Sequence, residues 1–230
     1  LEEADVPQDL GQSPADLVVL SYSDSDLGAF AAGWKRSGGS LPTLRLANLV
    51  ALRHPISVDT YVERTLAGAR AILVRLIGGE PYWAYGLASL HRLAREKGLP
   101  LAVLPGDGRP DDRLVALSTV PVPLLRHLAR LCDAGGAVAA QKALALLAEA
   151  AGLPAGPVDG ATEVPPQGFY DPDHGVAPEP DWAEGRVALV AFYRSYVTAA
   201  DTGPVDALIR ELRAAGLAAF GVFAPSLKAP

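Results

Sequence analysis

Apolar residues in this chain follow two rhythms. Leu17–Ser21 (LVVLS), 43–52 (TLRLANLVAL), 71–77 (AILVRLI) and 101–104 (LAVL) are short, nearly uninterrupted apolar runs. Runs of that length predict strands covered on both faces. Between them apolar residues recur every three or four positions, the spacing of a helix with one buried side. Leu27, Phe30, Ala31 and Trp34 predict a helix ended by Gly38-Gly39, and the polar stretch from Tyr22 to Asp26 offers side chains to cap it. Ser57 or Asp59 is placed to cap a second helix through Tyr61, Val62 and Leu66, while Leu87, Leu90, Leu93 and Ala94 mark a third that stops at Gly98. Strands alternating with helices at this spacing imply crossover connections. The predicted fold class is therefore α/β, a doubly wound, mainly parallel sheet with flanking helices.

Beyond Pro105 the rhythm changes. Leu124, Leu125, Leu128, Leu131 and Cys132 predict an amphipathic helix, a second helix is expected over 136–151, and no strand is visible there. Residues 152–186 hold seven prolines, a composition that resists both helix and central strand, and predict a connector too rich in proline to fold regularly. At 187–192 (VALVAF) a second βα unit begins with a buried-looking strand, and Val205, Leu208, Ile209 and Leu212 mark its helix. Pro204 and Asp206 suit that helix's first turn and Gly216 its stop. A further strand is expected over 217–223. The predicted organisation is an amino-terminal α/β domain with a helical tail over 1–151, the connector over 152–186, and the first βαβ unit of a second, truncated domain over 187–230. The two units open alike, which is also the commonest α/β grammar.

Composition narrows the function. With 230 residues and half of them apolar, the chain can bury a sizeable core. A net charge of −6 spread over mixed signs excludes the clustered basic face that nucleic acid requires. Cys132 is the sole cysteine, so no internal disulfide can form, which fits a reducing cytoplasm. No run reaches the ~18 apolar residues of a membrane span, and no export signal is visible. Methionine is absent, and AFGVFAPSLKAP closes on an apolar run with no later segment to pack beside it, so a piece of something longer is expected.

No familiar catalytic pattern is complete. The chain has neither G-x-x-x-x-G-K-[ST] nor a G-x-G-x-x-G before a helix, so nucleotide binding is not expected here. His54, His91, His127 and His174 are 37, 36 and 47 residues apart, too far to share one helical face as ligands. In GFYDPDHG, Asp171, Asp173 and His174 offer oxygen and nitrogen to a cation, but an exposed turn accounts better for the same string. No G-x-S-x-G elbow occurs, and paired acids such as Asp111-Asp112 read as helix caps. Tyr193-Arg194-Ser195-Tyr196 stands at a strand's carboxyl end, where ligands of open α/β sheets bind. Arg194 suits a carboxylate and Tyr196 a flat ring. Equally, Arg194 pairs with a nearby acid and the tyrosines close the core edge.

The run 76–121 (LIGGEPYWAYGLASLHRLAREKGLPLAVLPGDGRPDDRLVALSTVP), together with GFYDPDHG at 168–175, FYRSYVTAADTGPVDALIREL at 192–212 and the terminal SLKAP, resembles the amino-terminal region of the large subunit of aerobic-pathway cobaltochelatase. The later strings are shared more loosely with the magnesium chelatase large subunit, whereas YWAYG and LPGDGRPD point to the cobalt branch. The family's usual Tyr-His-Pro is Tyr170-Asp171-Pro172 here. The resemblance implies a cytoplasmic, ATP-dependent enzyme that inserts Co(II) into the corrin hydrogenobyrinic acid a,c-diamide during cobalamin biosynthesis. Co(II) is then a substrate, and ATP and Mg are handled by two partner motor subunits. It further implies that metal insertion lies outside these residues, leaving no catalytic or metal-binding residue here, with Arg194, Tyr196 and Tyr170 as candidate substrate contacts. The alternatives are a magnesium chelatase subunit acting on protoporphyrin IX and a non-catalytic protein-interaction module.

Overall fold

The computed structural model describes residues 6–180, 186–226 and 228. Two four-stranded sheets organise it. The first takes β1 (Leu17–Ser21), β2 (Leu44–Asn48), β3 (Ala71–Leu76) and β4 (Leu101–Pro105) in the order β2-β1-β3-β4, all parallel. Its connections are α1 (Asp24–Arg36), α2 (Pro55–Arg64) and α3 (Ala84–Lys97); α4 (Asp112–Leu117), α5 (Val122–Ala134) and α6 (Gly136–Ala150) follow β4.

Successive strand residues face opposite sides, and both sides are apolar. Val18, Leu20, Ile72, Val74 and Val103 pack with Val58 and Tyr61 of α2 and Leu87 and Leu90 of α3. Leu17, Val19, Leu73, Ala102 and Leu104 pack with Phe30 of α1, Leu128 of α5 and Leu144 of α6. This two-sided burial is why the strands read as unbroken apolar runs. The expected doubly wound sheet is present.

Details differ from the pattern for local reasons. Residues 49–52, expected to continue the second strand, turn into a 3-10 helix capped by Asn48, whose side chain accepts from the Val50 amide. The α2 cap is not Ser57 or Asp59 but His54, whose Nδ1 accepts from Ile56 N and lets Pro55 take the first turn. Leu66 falls beyond α2 in a separate 3-10 turn. In α1 the buried side is Ala29, Phe30 and Gly33; Ala31 and Trp34 are exposed, with Trp34 Nε1 donating to Pro42 O at 2.7 Å. The Asp111 carboxylate accepts from the amides of Arg113 and Leu114, so the acid pair caps α4 as its position predicts.

The second sheet departs further from expectation. It contains β5 (Gly168–Asp171), β6 (Gly175–Ala177), β7 (Val187–Tyr193) and β8 (Ala218–Ala224) in the order β6-β5-β8-β7, with α7 (Arg194–Thr198) and α8 (Gly203–Ala214) between β7 and β8. β7 and β8 are parallel, as a βαβ unit requires, and β5 pairs antiparallel with both β6 and β8. The proline-rich stretch, expected to lack strands, thus supplies a hairpin. Its prolines flank the strands or, as Pro172, occupy the turn, so no ladder amide is lost. The run 187–192, expected to be buried, is the sheet's edge, and the closing apolar run, expected to find no later segment to pack beside it, is flanked on both sides by the earlier strands β5 and β7. Leu227, Ala229 and Pro230 of the SLKAP string lie outside the described residues.

Candidate functional site

Two recesses, both bordered by Gly135, lie where the units meet. The first opens at the carboxyl ends of β1 and β3, the point where the chain order of the sheet reverses and where open α/β sheets receive ligands. Ser21 ends β1 and stands in register with Arg75 of β3. The Ser21 hydroxyl donates to Asp26 Oδ2 at 2.8 Å, and the other Asp26 oxygen accepts from Arg75 Nη1 at 2.6 Å. Arg75 Nη2 donates to Asp133 Oδ1 at 2.6 Å, and Nη1 also reaches the Cys132 carbonyl at the end of α5, where a helix terminus favours a cation. Arg75 is 8% exposed, and its Nε is buried without a hydrogen-bond partner. The recess measures about 400 Å³ and is closed from the second unit by Ser195, Thr198 and Ala199. Arg75 was not singled out by the sequence reading; its signal is the one charge inside the apolar run AILVRLI.

The turn between α5 and α6 comes close to α7 at this boundary. Gly135 has φ +70°, and a Cβ there would meet Thr198 Cβ and O at 2.9 Å. Cys132 lines the same recess, where burial pushes its thiol up to about 12 against the opposing pull of Arg75. It remains a thiol at neutral pH and is no nucleophile.

The second recess, about 700 Å³, runs between α1, the α5–α6 turn, residues 160–165 and the β5–β6 hairpin. Arg36, Thr162, Glu163, Tyr170, His174, Thr202 and Asp206 supply its polar side chains. Arg36 Nη2 donates to Asp159 O at 2.8 Å, and Nη1 donates to Gln141 Oε1. The buried Tyr170 hydroxyl donates to Asp206 Oδ1 at 2.7 Å and lies 2.9 Å from Thr202 Oγ1. Burial, with the Asp206 carboxylate beside it, pushes that phenol up to about 12, so it stays a donor across the physiological range. Ala200, on the wall of this recess, has φ +54°, a left-handed conformation uncommon without glycine.

Of the residues named from sequence, Tyr170 lines the larger recess and the other two lie elsewhere. Arg194 donates through Nε to Pro165 O at 2.9 Å and through Nη2 to Val164 O at 2.7 Å, so it fastens residues 164–165, which form part of the wall. Its partners are main-chain carbonyls and not the neighbouring acid considered above. Tyr196 is 39% exposed and meets Phe192 edge-on at 6.3 Å, while Tyr170 meets the same ring at 5.5 Å. In the hairpin turn, Asp171 accepts from Arg213 Nη2 at 2.6 Å and Asp173 from Arg210 at 3.3 Å. Arginine guanidinium groups lie against both acids. No group of three or more His, Cys, Asp or Glu that could hold a metal ion occurs among the described residues.

Comparison with known proteins fits this geometry to a family. Residues 129–230 match the CobN/Magnesium Chelatase family. The chain is 39% identical over 239 aligned residues, 96% of its length, to an aerobic cobaltochelatase subunit CobN of Sinorhizobium sp. The chain belongs to the CobN/magnesium chelatase family. A second CobN, from Pseudomonas aeruginosa, is 36% identical over 97% of the chain. The chain spans 18% of the length of each of these relatives. The catalytic subunit of cobaltochelatase from Mycobacterium tuberculosis shares the fold, with a TM-score of 0.72 and 24% identity over 94% of this chain and 17% of that one. CobN relatives thus align across both sheets, and the family match takes in α6, the hairpin and the second sheet.

Proposed function

We propose that this chain forms part of the large, tetrapyrrole-binding subunit of an ATP-dependent cobaltochelatase that inserts Co(II) into hydrogenobyrinic acid a,c-diamide in aerobic cobalamin biosynthesis. The observation that carries the proposal is 39% identity to a CobN over 96% of the chain. The larger recess supports a role in holding the corrin. Its volume of about 700 Å³ lies within the range of small-molecule sites, and it sets Arg36 and His174 beside Glu163 and Asp206, a mixed lining whose donors suit the carboxylates and whose acceptors suit the carboxamides at a corrin's rim. Arg36 and His174 offer charged or ring N–H donors, and the hydroxyls of Tyr170 and Thr202 are fixed by Asp206.

In this reading Tyr170 shapes the floor of the cleft. Arg194 is a positioning residue that holds the 164–165 wall, and Tyr196 supports Phe192 from outside. Cobalt enters as substrate, and two partner motor subunits in the cytoplasm hydrolyse Mg-ATP. These 230 residues alone neither hydrolyse ATP nor insert cobalt; turnover of either kind by the isolated chain overturns that assignment.

Titration of hydrogenobyrinic acid a,c-diamide into the purified chain, followed by corrin absorbance, tests the reading. Saturable binding is expected, weakened ~10-fold by Arg36→Gln or His174→Gln, since a hydrogen bond to a charged group contributes about 1.5–3 kcal/mol. Stronger binding of protoporphyrin IX would move the chain to the magnesium branch. No response to either ring would leave a protein-interaction module.

A further inference from the structure

One hydrogen-bond donor in the smaller recess is unmatched. Arg75 is buried in the recess wall, where Nη1 donates to Asp26 and to the Cys132 carbonyl and Nη2 donates to Asp133. Its Nε has no partner among the described residues. A buried donor without an acceptor is costly, so an oxygen brought to that nitrogen is held there. Nε and one Nη share an edge of the planar guanidinium, the fork that ordinarily takes two oxygens side by side. Here Asp133 Oδ1 fills the Nη2 half at 2.6 Å, and the Nε half is unfilled.

Charge decides which oxygen fits. Asp26, Asp107 and Asp133 line the recess, and among the described residues of its lining Arg75 is the single cation. A carboxylate or phosphate entering it meets three like charges and a guanidinium that is already paired. A neutral oxygen meets no such repulsion. The Asp133 side chain is 48% exposed, and its second oxygen accepts no hydrogen bond among the described residues, so a donor beside that neutral oxygen finds a carboxylate. A primary carboxamide supplies both from one planar group, its carbonyl to Arg75 Nε and its N–H to Asp133. Ala29, Phe30, Leu131 and Ala140 give the body of such a ligand apolar walls, and Ser195 and Thr198 close over it from the second unit. The volume of about 400 Å³ is that of a small-molecule site, at the strand ends where open α/β sheets place them. We propose that this recess binds a small neutral molecule through a primary carboxamide, held by Arg75 and Asp133.

The Arg75 Nε–H signal in nuclear magnetic resonance spectra of the chain tests this, with benzamide, benzoate and benzyl alcohol as probes. Benzamide should shift that signal saturably, and benzoate and benzyl alcohol should bind at least ~10-fold more weakly, since each lacks one half of the paired contact. Asp133→Asn removes a charge that turns benzoate away and should bring benzamide and benzoate to comparable affinity. A signal that none of the three probes moves, as when a buried water fills the Nε half of the fork, overturns the proposal. So does equal binding of benzoate or benzyl alcohol by the wild-type chain, or an unchanged preference in Asp133→Asn. Should that variant fail to fold, the wild-type titration decides alone. The signal reports on Arg75 and the probes are not tetrapyrroles, so the result stands apart from the proposed function of the larger recess.

Discussion

Arg75 is the residue on which the boundary between the units turns. Its guanidinium holds Asp26 on the β1–α1 side and Asp133 at the end of α5, and the Asp26 side chain is only 15% exposed. Removing one member of a buried ion cluster leaves the others charged and poorly solvated. Arg75→Met should therefore cost about 3 kcal/mol, seen as a lower urea midpoint at unchanged slope, and pairing it with Asp26→Leu should recover part of the loss. Asp171 makes a pH-dependent contribution. Burial of its carboxyl works against the charged form, but hydrogen bonds from the Arg213 guanidinium, the Asp173 amide and the His174 ring outweigh it and hold the carboxyl well below the usual carboxylate range. A depressed folded value stabilises fully above the unfolded value of about 4 and loses that stabilisation as pH falls toward the folded one. Wild type should exceed Asp171→Asn in urea midpoint at pH 7, and the gap should narrow on acidification below about pH 4. Arg194→Ala should destabilise by about 2 kcal/mol through the lost bonds to Val164 and Pro165, with a smaller effect on corrin affinity than Arg36→Gln.

At the scale of elements, α1 and α6 meet closely because Gly33 has no side chain. A Cβ there would lie 2.6 Å from Gln141 N and 2.8 Å from Ala137 O, atoms of a helix backbone that cannot swing aside. Gly33→Ala should cost about 1–3 kcal/mol despite the gain in helix propensity, and thermal unfolding followed by circular dichroism would show it. The strands of the first sheet were legible because burial on both faces writes itself as continuous apolar runs, and α3 because Leu87, Leu90 and Leu93 face one side and Gly98 ends it in a left-handed turn. The face of α1 was misplaced because Leu27 and Trp34 are large, whereas the packed face is built of Ala29, Phe30 and Gly33, where smallness is what matters. The hairpin 168–177 was hidden because prolines surround it, and nothing local announces that Tyr170 will pair with Gly221. In the candidate site, Tyr170, named through its motif, lines the larger recess. Arg36, Arg75 and Asp133 were not named, since each lies in a different element and only the fold sets Arg75 against Asp133 and Arg36 on the wall beside Tyr170.

Across the molecule, apolar burial is unequal. The first sheet is packed on two sides by large clusters, while the second rests on one small cluster around Phe192, Ile209 and Phe223. Stability should follow that difference. Native-state exchange of the 230-residue chain should show the β1 and β3 amides opening only with global unfolding, and those of β5 and β8 opening at lower free energy. The placement of β5 beside β8 has a further consequence for biogenesis. A hairpin complete by residue 177 must wait for residues 218–224 before its inner strand finds its second partner. On a ribosome adding about 5–20 residues per second, that interval lasts several seconds, during which Phe169 and Tyr170 are available to chaperones or to wrong neighbours.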